Sequence, residues 1–411
     1  MNMYKSIGEN VRLFLRYSIP LSVAVMLTFM RNGFLFFTNT YTFIDYIINV
    51  FVVFFAMILF VKSVISGYRL SDFYKYFPIL LFLLWVFCRG VIFDYDHIIT
   101  RSNIISIFVA VVLSIHIRMS DLLLLRRSLM LINLVFVGIV IIYAPYALSG
   151  LHNSIFESSF GVNYKFGMDY SPASGVAYPR SLYTLALACI GGAIIEKKIF
   201  LKALSIIISF VPIFMGFSTA GRGGLLGFII AIVVIVIGAF YVYGLKRKIK
   251  MMVIITFLVS MMYLLYSVMI MKFPILLNRI YNDADDGRFD IWEQSLRGVS
   301  FLGEGVSMSY SHNLFLESLH DYGIVGFILC VYMIFMVIVN GVRSIRKKKN
   351  MEVFVVLSIV ALQLVAQQFS LNMYWAFFWS AIILPMSINR EDSKDTHGHL
   401  RISQVKSVSV I

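Results

Sequence analysis

The run RGGLLGFIIAIVVIVIGAFYVYGLKRKIK, residues 222–250, decides the fold of this chain. No charge interrupts it between Arg222 and Lys246, and Lys246, Arg247, Lys248 and Lys250 then follow almost together. A helix of about 20 apolar residues matches the hydrocarbon thickness of a bilayer. One that is apolar on every side has no face to offer water. Positive charge collects at the cytoplasmic end of such helices. The segment therefore reads as a spanning helix that starts outside at Arg222 and ends inside at Lys246.

The rest of the chain repeats this pattern. Of 411 residues, 60% are hydrophobic and only 14% charged, more apolar surface than a soluble core of this size can hide. Apolar runs place spans at about 17–37, 43–62, 74–93, 102–117, 128–148, 176–195, 199–217, 224–244, 251–271, 314–340, 353–369 and 371–389. The expected fold is an all-α polytopic membrane protein of about 12 transmembrane helices. Residues 1–389 form one integral membrane domain, and the polar segment 390–411 reads as a disordered cytoplasmic tail. With both termini in the cytoplasm, 25 of the 35 Lys and Arg residues fall on inner segments and 10 on outer ones. The net charge of +14 thus reflects topology, and nucleic acid is not an expected partner. The first apolar run has no small-residue cleavage site after it and reads as a retained helix rather than a signal peptide. Cys88, Cys189 and Cys330 lie in separate spans and read as packing residues, with no disulfide or metal spacing.

Two outer loops are long, 149–180 and 272–312, whereas the inner loops are short and basic. Chemistry is therefore expected on the outer side. Eight of the ten outer cations are Arg, among them Arg89, Arg180, Arg222, Arg288 and Arg297. A guanidinium grips phosphate as a planar fork, whereas an ammonium is a point charge. The competing reading is that these arginines snorkel to lipid headgroups.

Three constellations stand out. Ser218-Thr219-Ala220-Gly221-Arg222-Gly223-Gly224 is a tight turn that sets Arg222 at a helix N-terminus, where free amides and the dipole already favour an anion. Asp283–Arg297 contains Phe289, Trp292 and Leu296 at helical spacing with Arg288 and Arg297, an amphipathic helix for the membrane interface. Ser311–Gly326 opens the tenth span with His312, Asn313, Glu317, His320 and Asp321, polar groups that lipid tolerates only against a wet cavity. A neutral His312 at that helix start is a candidate base. Asn313, Glu317 and Asp321 are its supporting groups. Asp94-Tyr95-Asp96 has the form of a metal-binding pair, but two acids in a short loop are common and no metal is expected. Gln363, Gln367, Tyr374, Trp375 and Trp379 are candidate sugar contacts, and an aromatic belt accounts equally for the last three.

The run SHNLFLESLHDYGIVGFIL, 311–329, resembles the His-Asn…Leu-Glu…Gly…Gly signature of the O-antigen polymerase and O-antigen ligase superfamily. DGRFDIWEQSLRGVSFLGEG, 286–305, is similar to that family's Arg-containing outer loop, and STAGRGGLL, 218–226, to its upstream Arg turn. The resemblance covers about 219–226 and 287–326 as motif and the remainder only as topology. It implies a GT-C-like membrane glycosyltransferase in a bacterial inner membrane that takes glycan from an undecaprenyl-diphosphate-linked oligosaccharide on the outer face. Arg222 and Arg288 are the implied diphosphate grip and His312 the implied base, and Arg297 and Arg180 are further candidate diphosphate contacts on the outer side.

Polymerase, with a lipid-linked acceptor, is favoured by the short loop ahead of His312, and ligase, with lipid A core as acceptor, is the alternative. A metal-independent, inverting displacement without cofactor is expected from one base and several arginines. Membrane lipids, a chain-length regulator and a flippase are the expected partners. A polysaccharide transporter or flippase is the competing class, which paired broken helices near the membrane centre would favour.

Overall fold

A computed structural model of the chain describes residues 76–93, 122–123, 125–138, 172–218, 222–244, 288–304, 313–369 and 376–388. It also describes isolated helical positions at 115, 141 and between 249 and 267. Among them there is helix and no strand. The helices are α1 (Phe77–Phe93), α2 (Pro172–Ile195), α3 (Ile199–Ser218), α4 (Arg222–Val242), α5 (Arg288–Arg297), α6 (Leu314–Lys347), α7 (Met351–Ala366) and α8 (Ala376–Ser387), and 125–138 is also helical. Two of them, Gly223–Val242 and Leu314–Lys347, are long and apolar enough to cross a bilayer, and five shorter helices are strongly apolar. Among the described residues this all-helical, apolar architecture is compatible with a membrane protein. The spans expected at 17–37 and 43–62, the segment 149–171 and the tail 390–411 lie outside the described residues.

α2 and α7 form the centre. Every residue of α2 from Pro179 to Ile194 is buried, as are twelve of the sixteen residues of α7. The sequence of α2 accounts for this, because small residues let neighbouring backbones approach where no hydrophobic force drives helices together. A Cβ on Gly191 would strike Val355 of α7, and one on Gly192 would strike Met130 and Ser205 of α3. On α4, a Cβ at Gly227 would lie 2.7 Å from the Leu362 carbonyl. α4 and α6 lie further out, and α6 exposes Ile328, Val331, Phe335, Ile338 and Val342 along one apolar stripe.

The contacts fix the direction of each helix. Gly192 beside Ser205 and Gly216 beside Tyr183 make α2 and α3 antiparallel. Gly224 beside Pro179 puts the starts of α4 and α2 together, while Gly238 meets Phe354 at the opposite end. That end also holds Tyr76 bonded to Ser387, Ser344 close to the Pro385 carbonyl, and the Lys349 ammonium over the Tyr241 ring. One pole thus carries the basic 343–349 segment, and the other carries Arg89, Arg180 and Asn313.

α6 departs from the single continuous helix expected at 314–340. Gly323 has φ 72 and ψ −173, outside the helical region, a conformation that glycine adopts without a Cβ penalty. Residues twelve apart in a straight helix are separated by about 18 Å, yet the Phe315 and Phe327 rings are 6.3 Å apart. A Cβ on Gly326 would sit 3.1 Å from the Ser318 carbonyl. The piece 314–322 therefore folds back on 324–347, and only the latter continues across the bundle.

Candidate functional site

Three chain segments converge where 314–322 begins. Asn313 is extended (φ −143, ψ 124), and its side-chain oxygen accepts from the amides of Phe315 and Leu316 at 3.0 and 3.2 Å. It caps the helix by satisfying amides that have no partner within it. Its Nδ2 donates to the Gln368 carbonyl at 3.3 Å, so one side chain both starts the folded-back helix and ties it to the end of α7.

Arg180 enters from α2. It is fully buried and donates to Gln367 Oε1 at 2.7 Å. One turn deeper, Gln363 Nε2 lies 3.5 Å from Thr184 Oγ1, and that hydroxyl donates to the Arg180 carbonyl at 2.9 Å. Gly224, two residues after Arg222, packs on Pro179 and Tyr183. The start of α4 is thereby placed beside Arg180. Asn313, Arg180, Gln367 and the backbone at Arg222 therefore share one pole, although they are far apart in sequence.

Glu317 and Asp321 lie on the folded-back piece, both buried. Asp321 Oδ1 is 2.9 Å from His320 Nδ1, and His320 Nε2 is 3.6 Å from Glu304. The segment 298–304 crosses over this point. Glu304 N donates to the His320 carbonyl at 2.9 Å, and Ile324 N to the Ser300 carbonyl at 3.2 Å. From α1, Arg89 donates to the Gly303 carbonyl, and Trp85 Nε1 to the Tyr322 carbonyl at 2.9 Å. Arg89 was legible as an outer cation. The crossing it supports was not, because a main-chain bond to a distant glycine leaves no mark in sequence spacing.

α5 forms where the amphipathic pattern places it, with Phe289 and Trp292 edge to face at 5.5 Å. Arg288 opens it. Arg297 ends it, exposed and paired with Glu293 one turn back on the same helix. Trp379 is fully buried against Phe82 of α1, a core position rather than a sugar contact or belt residue. His312, Asp94, Asp96, Tyr374 and Trp375 lie outside the described residues.

A second polar cluster occupies the opposite pole. Arg126, buried, donates to Glu352 Oε2 at 2.8 Å and to Glu196 Oε1 at 2.9 Å. Arg127 grips the same Glu196 with two bonds of 2.9 and 3.0 Å. The sequence marks these arginines only as inner-loop cations. Their pairing with Glu196 and Glu352 depends on α2 ending and α7 beginning at the same level. Burial alone favours a neutral Glu196, but the hydrogen bonds from Arg127 and Arg126 outweigh it and hold the carboxyl below its ordinary range.

No protein-family model matches this chain, and no curated protein matches it.

Proposed function

We propose that this chain is an inner-membrane O-antigen polymerase. It transfers glycan from an undecaprenyl-diphosphate-linked donor to a lipid-linked acceptor on the outer face. The observation that carries the reading is the convergence at one pole of Asn313, Arg180 with Gln367, and the start of α4 at Arg222. In the sequence the candidate base His312 directly precedes Asn313, the cap of the folded-back helix. In this reading the chain crosses the membrane twelve times, both termini are cytoplasmic, and the site faces outward.

The chemistry follows from what that side of the membrane lacks. Nucleotide sugars and ATP are absent there, so the donor must arrive activated, and a lipid diphosphate is a good leaving group. His312 takes the proton of the acceptor hydroxyl, whose oxygen attacks the anomeric carbon as the bond from that carbon to the diphosphate oxygen breaks. Inversion results from this single displacement. Arg222 and Arg288 stabilise the departing charge, each charge-assisted bond contributing about 1.5–3 kcal/mol. Arg180, already engaged by Gln367, lines the same pole.

A transporter is the competing reading: α6 breaks at Gly323, but at the outer pole and not near the membrane centre, where paired broken helices build transporter sites. Detergent-solubilised protein separates the two, because transport has no meaning without a membrane. Purified protein given lipid-linked repeat units is expected to yield longer lipid-linked glycans. No elongation in detergent, with flipping of the donor in proteoliposomes, identifies a transporter. In cells, loss of the gene is expected to leave lipopolysaccharide capped with a single repeat. Loss of all O-antigen with accumulation of lipid-linked polymer identifies a ligase.

A further inference from the structure

The segment 288–304 stands beside the outer pole with much of its apolar surface uncovered. Phe289, Leu296 and Phe301 are 64%, 53% and 67% exposed, with Leu302 also exposed. On α5 the first two lie about 20° apart around the helix, with Trp292 on one flank and Glu293 on the other, while Gln294 lies on the opposite face. The segment does not swing freely. Its Ser300 carbonyl accepts from Ile324 N, and its Gly303 carbonyl accepts from Arg89.

That bond to Ile324 sets its depth. From Ile324 to Arg343 the helix rises about 29 Å at 1.5 Å per residue, which equals the hydrocarbon core of about 30 Å. Arg343 opens the basic run that continues through Arg346 to Lys349 and belongs at the inner headgroups. Ile324 then lies at the outer boundary of the hydrocarbon, and the segment tied to it lies at the same level. The exposed apolar stripe of α6 begins with Ile324 and Ile328 and runs inward, so Phe301 and Leu302 extend a lipid-facing surface.

We infer that 288–304 is seated in the outer leaflet, with Phe289, Leu296 and Phe301 at the acyl–headgroup boundary. Its charges say which lipid it needs. Two cations, Arg288 and Arg297, face three acids, Asp290, Glu293 and Glu304, so the segment gains nothing from anionic headgroups and is held by apolar insertion. Seating fixes the level of the crossing over Gly323, and with it the depth of the folded-back helix. This inference stands on membrane geometry and does not depend on the glycosyltransferase reading.

The test uses the full chain in nanodiscs with spin labels at single cysteines replacing Phe289, Gln294, Leu296 or Phe301. Cys189 and Cys330 are fully buried and Cys88→Ala removes the remaining reactive thiol. Oxygen, which partitions into lipid, is expected to relax the labels at 289, 296 and 301 several-fold more, relative to a water-soluble nickel chelate, than the label at 294. The pattern is expected to be the same in zwitterionic and anionic discs. Equal access of the chelate to all four positions places the apolar edge in water, as a protein partner would require, and overturns the inference. So does seating that appears only with anionic lipid.

Discussion

Gly303 and Gly323 lie back to back where the segment 298–304 crosses the fold in α6. Both have positive φ, 85 and 72, and a Cβ added to Gly303 would lie 2.5 Å from the Gly323 amide nitrogen. Neither position has room for a side chain, and neither backbone suits one. A left-handed conformation costs a non-glycine residue roughly 1–2 kcal/mol before any clash is counted. Gly323→Ala and Gly303→Ala are each expected to destabilise the protein by at least about 2 kcal/mol, read as a lower melting temperature in detergent. A melting temperature equal to wild type for both would mean that the crossing does not exist.

Arg89 clamps the same crossing from α1. Arg89→Ala removes a charged donor to the Gly303 carbonyl, a bond contributing about 1.5–3 kcal/mol. Hydrogen exchange is expected to accelerate at the amides of Glu304 and Ile324, which bond across the crossing, and to stay unchanged in α7. Uniform acceleration throughout the bundle would point to global destabilisation instead.

Asn313 has two separable duties. Asn313→Asp keeps an oxygen to accept from Phe315 and Leu316 but loses the donor to the Gln368 carbonyl, whereas Asn313→Ala loses both. The alanine variant is expected to be less stable by about 1 kcal/mol for the lost cap. Both variants are expected to lose turnover, since both free the helix start from α7. Full activity in Asn313→Asp would show that the tie to Gln368 does not position the site.

The pole opposite the site is expected to control stability rather than activity. Removing one partner of a buried ion pair costs about 3–5 kcal/mol, so Arg126→Ala, which takes the Arg126 bond from Glu352 and leaves Glu196 to Arg127 alone, is expected to lower the melting temperature sharply. The contribution of Glu196 to the pH dependence has a definite sign. Glu196 is held below its ordinary carboxyl range, so its stabilisation is present above the unfolded pKa and is lost as pH falls through the folded one. The melting temperature is expected to fall below roughly pH 4, and less steeply in Glu196→Gln. An identical acid limb in that variant would remove Glu196 from the account.

For catalysis, His312→Ala is expected to lower turnover about 10²–10⁴-fold with donor affinity little changed, the usual effect of losing a general base. Arg222→Ala and Arg288→Ala are expected to lower both turnover and donor affinity, and Arg→Lys to rescue poorly because an ammonium lacks the bidentate fork. Activity is expected to survive EDTA. A folded His312→Ala protein that binds donor and turns over at the wild-type rate would make His312 structural.

Several features were legible in sequence because their causes are local. The apolar run after Arg222 predicts α4 by length and composition alone. Phe289, Trp292 and Leu296 predict α5 by their spacing, and Asn313 reads as a polar group at a helix start. The basic segments order the helix ends, since charge near a membrane is sorted residue by residue.

What only the tertiary structure decided depends on groups distant in the chain. Composition does not reveal that α2 and α7 are central while α4 and α6 face outward, because lipid and protein interiors are equally apolar. By sequence Trp379 fits a sugar contact and a belt residue equally, and only the packing of Phe82 against it makes it a core residue. Glycine is common in membrane helices, so nothing nearby marked Gly323 as a fold-back point until Gly303, twenty residues earlier, was seen against it. The approach of Arg180 to Gln367 and of Asn313 to Gln368 likewise requires α2, α6 and α7 to be placed first. A sequence states which side chains can hydrogen-bond, and packing alone determines which of them meet.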